Sequence, residues 1–224
     1  MRTLALFGCL AVSAMSQAIL LDDFTVPYSR TITSGSWVDY QTDASLYTGE
    51  RDVETHWLRG VNGPVALEIG GGQLSLTLQP GVVAGAFLEY DGIGDEANNT
   101  GENRTLIHRP NTGNAFPEGT RIVRFHVLSA SGPGTLGAVL LRNGVIEYIN
   151  SRNPVIGGPH IIDVPFSPGA FAQCDAMFLT VSATGSQIVL SHVELVPEPG
   201  GLLVVGAGAA LLARRKGKKD HPNA

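Results

Sequence analysis

LGAVLLRNGVIEYI, residues 136–149, contains the clearest structural signal in the chain. Two apolar runs, 136–141 and 145–149, flank the dipeptide Asn143-Gly144. Because Asn-Gly tolerates positive φ at both central positions of a tight turn, it is the strongest short-range hairpin signal a sequence offers. This segment therefore predicts two antiparallel β-strands joined by a turn at Asn143-Gly144.

Similar runs recur along the rest of the chain. Apolar and polar residues alternate in LSLTL at 74–78 and in VRFHV at 123–127, Met177, Leu179 and Val181 occupy every second position of a further run, and Gly, Pro, Asn and Asp separate the runs. No run of ten residues outside the two termini has helical periodicity. Eight or more short strands with turn signals about every ten residues are typical of a β-sandwich or jelly roll. We predict an all-β chain with one such domain over residues 19–195.

Two details of this domain are predicted from local pattern. The first strand is expected at residues 20–26 (LLDDFTV). The last apolar run, 188–196, changes phase near Ser191-His192, which predicts a β-bulge at that point.

Composition and charge agree with a folded β protein and exclude one class of partner. The chain has 224 residues, 43% hydrophobic and 16% charged, with 28 Gly and 13 Pro. Between residues 19 and 199 there are 19 acidic residues against 9 basic ones, and every Lys lies beyond residue 215. An acidic body lacks the basic surface that nucleic acid requires. Nucleic-acid binding is therefore not expected.

The N-terminus has the layout of a signal peptide. In residues 1–18 (MRTLALFGCLAVSAMSQA), Arg2 precedes a short apolar run that ends in Ser16-Gln17-Ala18. This order of charge, apolar run and small residues is that of a cleaved secretory signal, and the run is too short to span about 30 Å of hydrocarbon. We expect cleavage before residue 19 and export through the inner membrane.

Cleavage would also leave a single cysteine in the mature chain. The sequence contains two, and the one within the signal would be removed, so Cys174 would remain. No intramolecular disulfide is then expected. Cys174 is predicted to be a small buried hydrophobic residue, since no His pairing nearby favours a nucleophile.

The C-terminus carries three features in a fixed order. They are the tripeptide Pro197-Glu198-Pro199, an uninterrupted apolar run at 200–213 (GGLLVVGAGAALLA), and a basic cluster that begins with Arg214, Arg215 and Lys216. As a helix the apolar run is about 21 Å long, a little short of a comfortable membrane span. The two prolines are expected to keep the tripeptide extended and outside the ladder of the last strand. The basic cluster is expected to stay cytoplasmic.

This C-terminus, residues 196–224, resembles the PEP-CTERM sorting signal of Gram-negative bacteria. The resemblance implies an exosortase-like membrane protease as partner, transient anchoring in the inner membrane by the apolar helix, and processing at the Pro-Glu-Pro motif. It also implies a place in the cell envelope, on the cell surface or in the extracellular biofilm matrix of a bacterium that makes exopolysaccharide. The alternative is an ordinary tail anchor.

One segment combines aromatic and acidic residues. Trp37, Tyr40 and Trp57 lie close in sequence to several Asp and Glu residues. Sugar-binding faces use rings that stack on apolar sugar faces beside carboxylates that bind hydroxyls, so these three residues form a candidate ligand face. The same residue types also pack well on an ordinary half-buried strand surface. A pair of these acids acting in glycoside hydrolysis is the weaker reading.

No metal site, cofactor or catalytic residue is predicted. Asp91, Asp95 and Glu96 form an oxygen-rich loop of the kind that Ca²⁺ favours, but their spacing is not that of an EF-hand, and a solvated hairpin tip explains them better. The histidines have no HxH, HxxxH or HExxH spacing. No Gly-x-Ser-x-Gly elbow or phosphate loop is present.

The sequence therefore leaves three functions open. The first is an exported, non-enzymatic protein with a structural or adhesive role at the cell surface. The second adds a carbohydrate ligand, with exopolysaccharide as a partner. The third, the weakest, is a secreted hydrolase of jelly-roll type.

Overall fold

The structure, a computed structural model, describes residues 17–92, 100–102, 116–117 and 119–197. Residues Ala18–Pro197 form one compact unit. The predicted signal peptide lies outside the described residues except for its last two, and so does the C-terminal signal beyond Pro197. No helix in the described part of the chain is long and apolar enough to cross a membrane.

The described residues fold into strands joined by turns, with one 3₁₀ turn at Phe171–Gln173. The strands are β1 Ile19–Asp22, β2 Tyr28–Ile32, β3 Ser36–Thr42, β4 Glu50–Gly60, β5 Val65–Gly70, β6 Gln73–Leu78, β7 Val82–Tyr90, β8 Gly101–Glu102, β9 Thr120–Ala130, β10 Gly134–Arg142, β11 Val145–Arg152, β12 His160–Pro165, β13 Ala176–Thr184 and β14 Gln187–Pro197.

These strands form two antiparallel sheets. Sheet 1 has the order β12-β9-β14-β6-β5-β2, and β1 also pairs with β14. Sheet 2 has the order β11-β10-β13-β7-β4-β3-β8. One core of buried apolar side chains is shared by strands of both sheets. The prediction of an all-β, sandwich-like body is confirmed.

The period-2 patterns form the inner faces of the sheets. Leu74 and Leu76 of sheet 1 and Leu179 and Val181 of sheet 2 are at most 1% exposed. Their polar neighbours in the chain point away from the core, as the alternation of a strand requires. Burial of these side chains is the main favourable contribution to folding.

The Asn-Gly hairpin forms as predicted. Arg142 pairs with Val145 across the turn. Asn143 and Gly144 adopt φ of 52° and 73°. Both central residues therefore occupy the left-handed region that a tight hairpin turn of this hand needs.

The bulge in the last strand is also confirmed. Leu190 pairs with Val127 and His192 pairs with His126, so Ser191 is the extra residue of β14. The bulge returns Val193 to the core, where it is fully buried. The other edge of β14 is shared, because β6 pairs with its first residues and β1 with residues nearer its end.

Two predicted boundaries are corrected. The first strand ends at Asp22 instead of residue 26, because Phe24 takes a φ of 57° that an extended strand does not allow. The last strand continues through Pro197, which pairs with Thr120, so this proline belongs to the ladder of β14. Proline is tolerated there because it stands at the end of the strand, where few ladder bonds remain to be made.

A buried ion pair joins the two sheets. Arg51 of β4 and Asp22 of β1 have fully buried side chains, and Arg51 Nη1 lies 2.7 Å from Asp22 Oδ2. The Tyr90 hydroxyl donates to the same oxygen at 2.6 Å. Arg51 also donates to the side-chain oxygen of Gln41 and to the carbonyl of Val26. This network satisfies a charge that would otherwise be costly inside the sandwich.

Candidate functional site

The structure separates the three aromatic residues predicted as one ligand face. Trp37 of β3 pairs with Thr55 of β4, and Trp57 lies two residues after Thr55 on the same side of that strand. Both tryptophan side chains therefore lie on the inner side of sheet 2, and both pack against the core. Tyr40 pairs with Asp52 and points to the opposite side. The three rings therefore do not share one face of the sheet.

Trp37 also has an intramolecular partner on its ring. The Arg30 guanidinium carbon lies 3.6 Å above the ring centroid. Asp39 is 3.8 Å from the same guanidinium. The guanidinium covers the ring surface on which a sugar would stack. Trp37 therefore has a structural role, in which it packs against Arg30 and the core.

The outer face of sheet 2 carries the other parity of these strands. One row across the sheet runs Tyr40, Asp52, Glu89, Phe178, Val139, Ile149 from β3 to β11. The row is acidic on β4 and β7 and apolar on β13, β10 and β11. Asp52 and Glu89 are fully buried, whereas Ile149 is 71% exposed.

Asp91 belongs to the buried acidic part of this face. Asp52, Glu89 and Asp91 each place a carboxylate oxygen within 4.8 Å of the others, and all three residues are buried. Oxygen ligands of this kind suit a hard cation such as Ca²⁺. None of the three is without a polar or electrostatic partner, so the cluster by itself does not define a metal site. Asp95 and Glu96, the other two residues of the predicted acidic loop, lie outside the described residues.

The neighbouring part of the outer face is open and mixed in chemistry. We call it the β4–β7–β13 face and define it by His56, Phe87, Thr180 and Ser182. Thr180 pairs with Phe87, while His56 and Ser182 both pair with Gly85. All four side chains are half-buried. Gly85 brings no side chain between His56 and Ser182, and Gly85 itself is buried.

The rings of this face are held in place by their neighbours. His56 and Phe87 meet edge to face with centroids 6.4 Å apart, and Phe87 meets Phe178 in the same way at 6.1 Å. The Nδ1 atom of His56 lies 2.7 Å from a carboxylate oxygen of Glu54. Edge-to-face contacts and a carboxylate partner fix ring orientation, so the face is preorganised.

The β4–β7–β13 face offers the elements of polar ligand recognition. Phe87 supplies an apolar ring, Thr180 and Ser182 supply hydroxyls that donate and accept, and His56 supplies an imidazole. The carboxylate of Glu54 lies beside this face, and Asp52 and Glu89 follow on the same outer side of sheet 2 as part of the buried acidic cluster.

Cys174 is not a nucleophile. The residue is 6% exposed, and burial raises the pKa of its thiol to about 11. A thiol with such a pKa is almost entirely protonated at neutral pH, and the thiolate is the reactive form. The expectation of a small buried hydrophobic residue is confirmed.

Comparison with known proteins gives structural similarities only. No protein-family model matches the chain, and no curated protein matches it. The family 11 carbohydrate-binding module of cellulosomal cellulase Lic26A-Cel5E of Clostridium thermocellum is similar at 14% identity and a TM-score of 0.36, over 81% of this chain and 95% of that chain. TmCBM61 in complex with β-1,4-galactotriose is similar at 11% identity and a TM-score of 0.32, over 78% and 91%.

A phage protein is similar to the same degree. The enzymatically active domain of bacteriophage CBA120 tailspike protein 4 matches at 9% identity and a TM-score of 0.36, over 76% of this chain. This chain spans 19% of the length of that protein. None of these similarities assigns a residue of the present chain to a function, so the candidate site stands on its geometry.

Proposed function

We propose that the chain is an exported cell-surface protein whose β-sandwich binds carbohydrate on the β4–β7–β13 face. The observation that carries the proposal is the arrangement of one half-buried aromatic ring, one carboxylate-bound imidazole and two hydroxyls on the open outer face of a rigid sheet. Rigid strands position side chains more accurately than loops do, which reduces the ordering cost of binding.

The chemistry of these side chains matches that of a sugar. A pyranose presents an apolar face of C–H groups and a rim of hydroxyls. Phe87 offers an apolar ring to the first, and Thr180, Ser182 and His56 offer hydrogen-bond partners to the second. An acidic body with few basic residues favours a neutral glycan over a strongly anionic one.

The proposal includes sorting by the C-terminal signal. The order of the segments along the chain fits this route. The N-terminal signal directs export and the Pro-Glu-Pro tripeptide is recognised by the protease, while the apolar run anchors the precursor and the basic cluster sets its orientation. The last strand ends at Pro197, so the tripeptide begins where the folded unit ends. An exosortase-like protease would then release a folded body from the membrane anchor. The inner membrane is the site of the precursor, and the envelope, surface or matrix is the destination.

A glycan array probed with residues 18–197, the compact unit, tests the binding proposal. We expect specific binding to neutral polysaccharide fragments, and we expect Phe87→Ala and His56→Ala each to weaken it about fivefold, since one ring contact contributes about 1 kcal/mol. Ile161→Ala is the matched control, because Ile161 is exposed on sheet 1. Absence of glycan binding, or binding unchanged by both variants, would leave the structural or adhesive role in its place.

Processing is tested by Glu198→Ala in the native host. Glu198 is the only charge between the last strand and the basic cluster, which makes it the recognisable group of the tripeptide. We expect the variant to accumulate uncleaved in the inner membrane, and we expect intact-mass analysis of the normal protein to show loss of residues 200–224. If the Glu198→Ala protein is still processed and reaches the cell surface, the sorting-signal interpretation is wrong and the tail is an ordinary anchor.

A further inference from the structure

Two histidines and a glutamate converge on the outer face of sheet 1: His192 and Glu194 lie two residues apart on β14, and His126 lies on β9, far from them in the chain. His126 Nε2 lies 3.0 Å from one carboxylate oxygen of Glu194, and His192 Nε2 lies 3.9 Å from the other. The two imidazole rings stack with centroids 3.7 Å apart and an interplanar angle of 19°. A ligand atom from each of the three residues lies within 4.8 Å of the others.

The bulge in β14 creates this cluster. Without the extra residue Ser191, the strand would continue in phase from Leu190, and residue 192 would point into the core. The bulge instead places His192 directly opposite His126 and returns Val193 to the interior. Glu194 follows two residues later on the same outer face. Bulges commonly redirect a side chain next to a functional site.

Ser191 prepares His192 to act as a ligand. The Ser191 hydroxyl lies 3.4 Å from the His126 carbonyl, to which it donates, and 2.9 Å from His192 Nδ1. When the hydroxyl donates to the carbonyl, its oxygen can accept the Nδ1–H of His192. In that tautomer the Nε2 atom of the ring carries a free lone pair on the side of Glu194. A hydrogen bond on one ring nitrogen that leaves the other available is the usual support of a metal-binding histidine.

We propose that His126, His192 and Glu194 form a surface site for a divalent transition-metal ion, with Zn²⁺ as the ion whose ligand preferences fit best. Ligand atoms of a tetrahedral zinc ion lie about 3.3 Å apart, and the two His–Glu separations here are 3.0 and 3.9 Å. Because the two rings are stacked nearly parallel, one of them must turn about its Cβ–Cγ bond before both Nε2 atoms can bind the same ion. Imidazole nitrogen and carboxylate oxygen are both common zinc ligands. The three side chains are 23%, 32% and 24% exposed, so a fourth position faces solvent.

The charged residues around the cluster are compatible with a bound cation. Arg124, which pairs with Glu194 across β9 and β14, makes two hydrogen bonds of 2.7 and 2.9 Å to Asp163. The carboxylate of Asp163 neutralises that guanidinium, so a divalent ion beside Glu194 does not meet an uncompensated positive charge. This site lies on the other sheet from the β4–β7–β13 face and does not depend on carbohydrate binding.

Calorimetry with ZnCl₂ tests the proposal on the full chain, purified through a tag without histidine and stripped with chelator. We expect saturable binding at pH 7.5 that His126→Ala and His192→Gln each weaken at least tenfold, and that Ser191→Ala weakens by a smaller factor. His160→Ala is the matched control. This histidine lies in the same sheet, but its ring bonds the backbone of Val155 and Gly158.

A second measurement protects the test against unfolding of a variant. Zn²⁺ is expected to raise the melting temperature of the unmodified chain and of His160→Ala, because an ion that binds the native state stabilises it. It is expected to leave the melting temperature of Glu194→Gln unchanged. Zinc binding of equal strength in His126→Ala, or no binding by the unmodified chain at 100-fold excess zinc, would overturn the proposal.

Discussion

Arg51 occupies surroundings that few arginines have. Its side chain is completely buried between the sheets, and three acceptors surround its guanidinium: the carboxylate of Asp22, the amide oxygen of Gln41 and the carbonyl of Val26. A buried pair of this kind contributes little net stability compared with a well-packed apolar pair, but removing one partner leaves an uncompensated charge. Single residues of this network therefore control the stability of the whole sandwich.

Asp22→Ala is expected to lower the free energy of unfolding by about 3–5 kcal/mol, because Arg51 would remain charged and buried without its carboxylate. Equilibrium urea denaturation measures the change. The control is Asp163→Ala, which removes the carboxylate of a partly exposed pair with Arg124 and is expected to cost less than about 1 kcal/mol. Equal effects of the two substitutions would contradict the account of the buried network.

The Cys174 thiol is expected to be inert in the folded protein. Its raised pKa, about 11, leaves almost no thiolate at pH 8, and burial excludes the reagent. Ellman's reagent should react with the folded body at a rate limited by unfolding and react at once after denaturation in urea. The melting temperature should be the same with and without reductant, because the buried thiol is not accessible for a disulfide that reductant could break.

At the scale of single residues, the sequence predicted burial better than it predicted faces. The alternation around Val123 and Phe125 was sufficient to place both in the core, where each is fully buried. The proposed grouping of Trp37 with Tyr40 ignored that residues three apart on a strand point to opposite sides. The sequence contained that information, and the period-2 rule applied to β3 would have separated the two rings.

At the scale of elements, the hairpin of β10 and β11 depends on two residues with positive φ. Gly144→Ala places a side chain at a φ of 73°, where an L-residue is disfavoured by about 1–2 kcal/mol. We expect a loss of stability of that size in thermal or urea unfolding. Gly158→Ala is the control, because a Cβ there would meet no atom within 4 Å. A larger loss at Gly158 than at Gly144 would contradict the turn assignment.

Long-range pairing is the part of the element scale that the sequence could not supply. The phase change at Ser191-His192 indicated a bulge, and the bulge is present. The partner of that bulge, His126 on β9, is 66 residues away in the chain. Nothing in local spacing identifies which strands become neighbours, so the cluster with Glu194 was invisible to a search for closely spaced histidines. The same reason hid the grouping of Asp52 with Glu89.

At the scale of the whole molecule, the two faces of the sandwich carry different chemistry. The outer face of sheet 2 presents Phe87, His56 and two hydroxyls for a polar ligand, whereas the outer face of sheet 1 presents the histidine–glutamate cluster. The shared core holds both faces rigid. Carbohydrate binding and metal binding are therefore expected to be independent, so zinc should not change the affinity for a glycan.

The most direct test of the carbohydrate-binding proposal is an NMR titration of the ¹⁵N-labelled compact unit, residues 18–197, with the oligosaccharide that binds best on the array. We expect the largest amide shifts at residues 54–56, 85–87 and 180–182, three segments that are distant in sequence and adjacent on sheet 2. Shifts confined to β9 and β14 of sheet 1, or to the Trp37 side of the sandwich, would contradict the assignment of the ligand face.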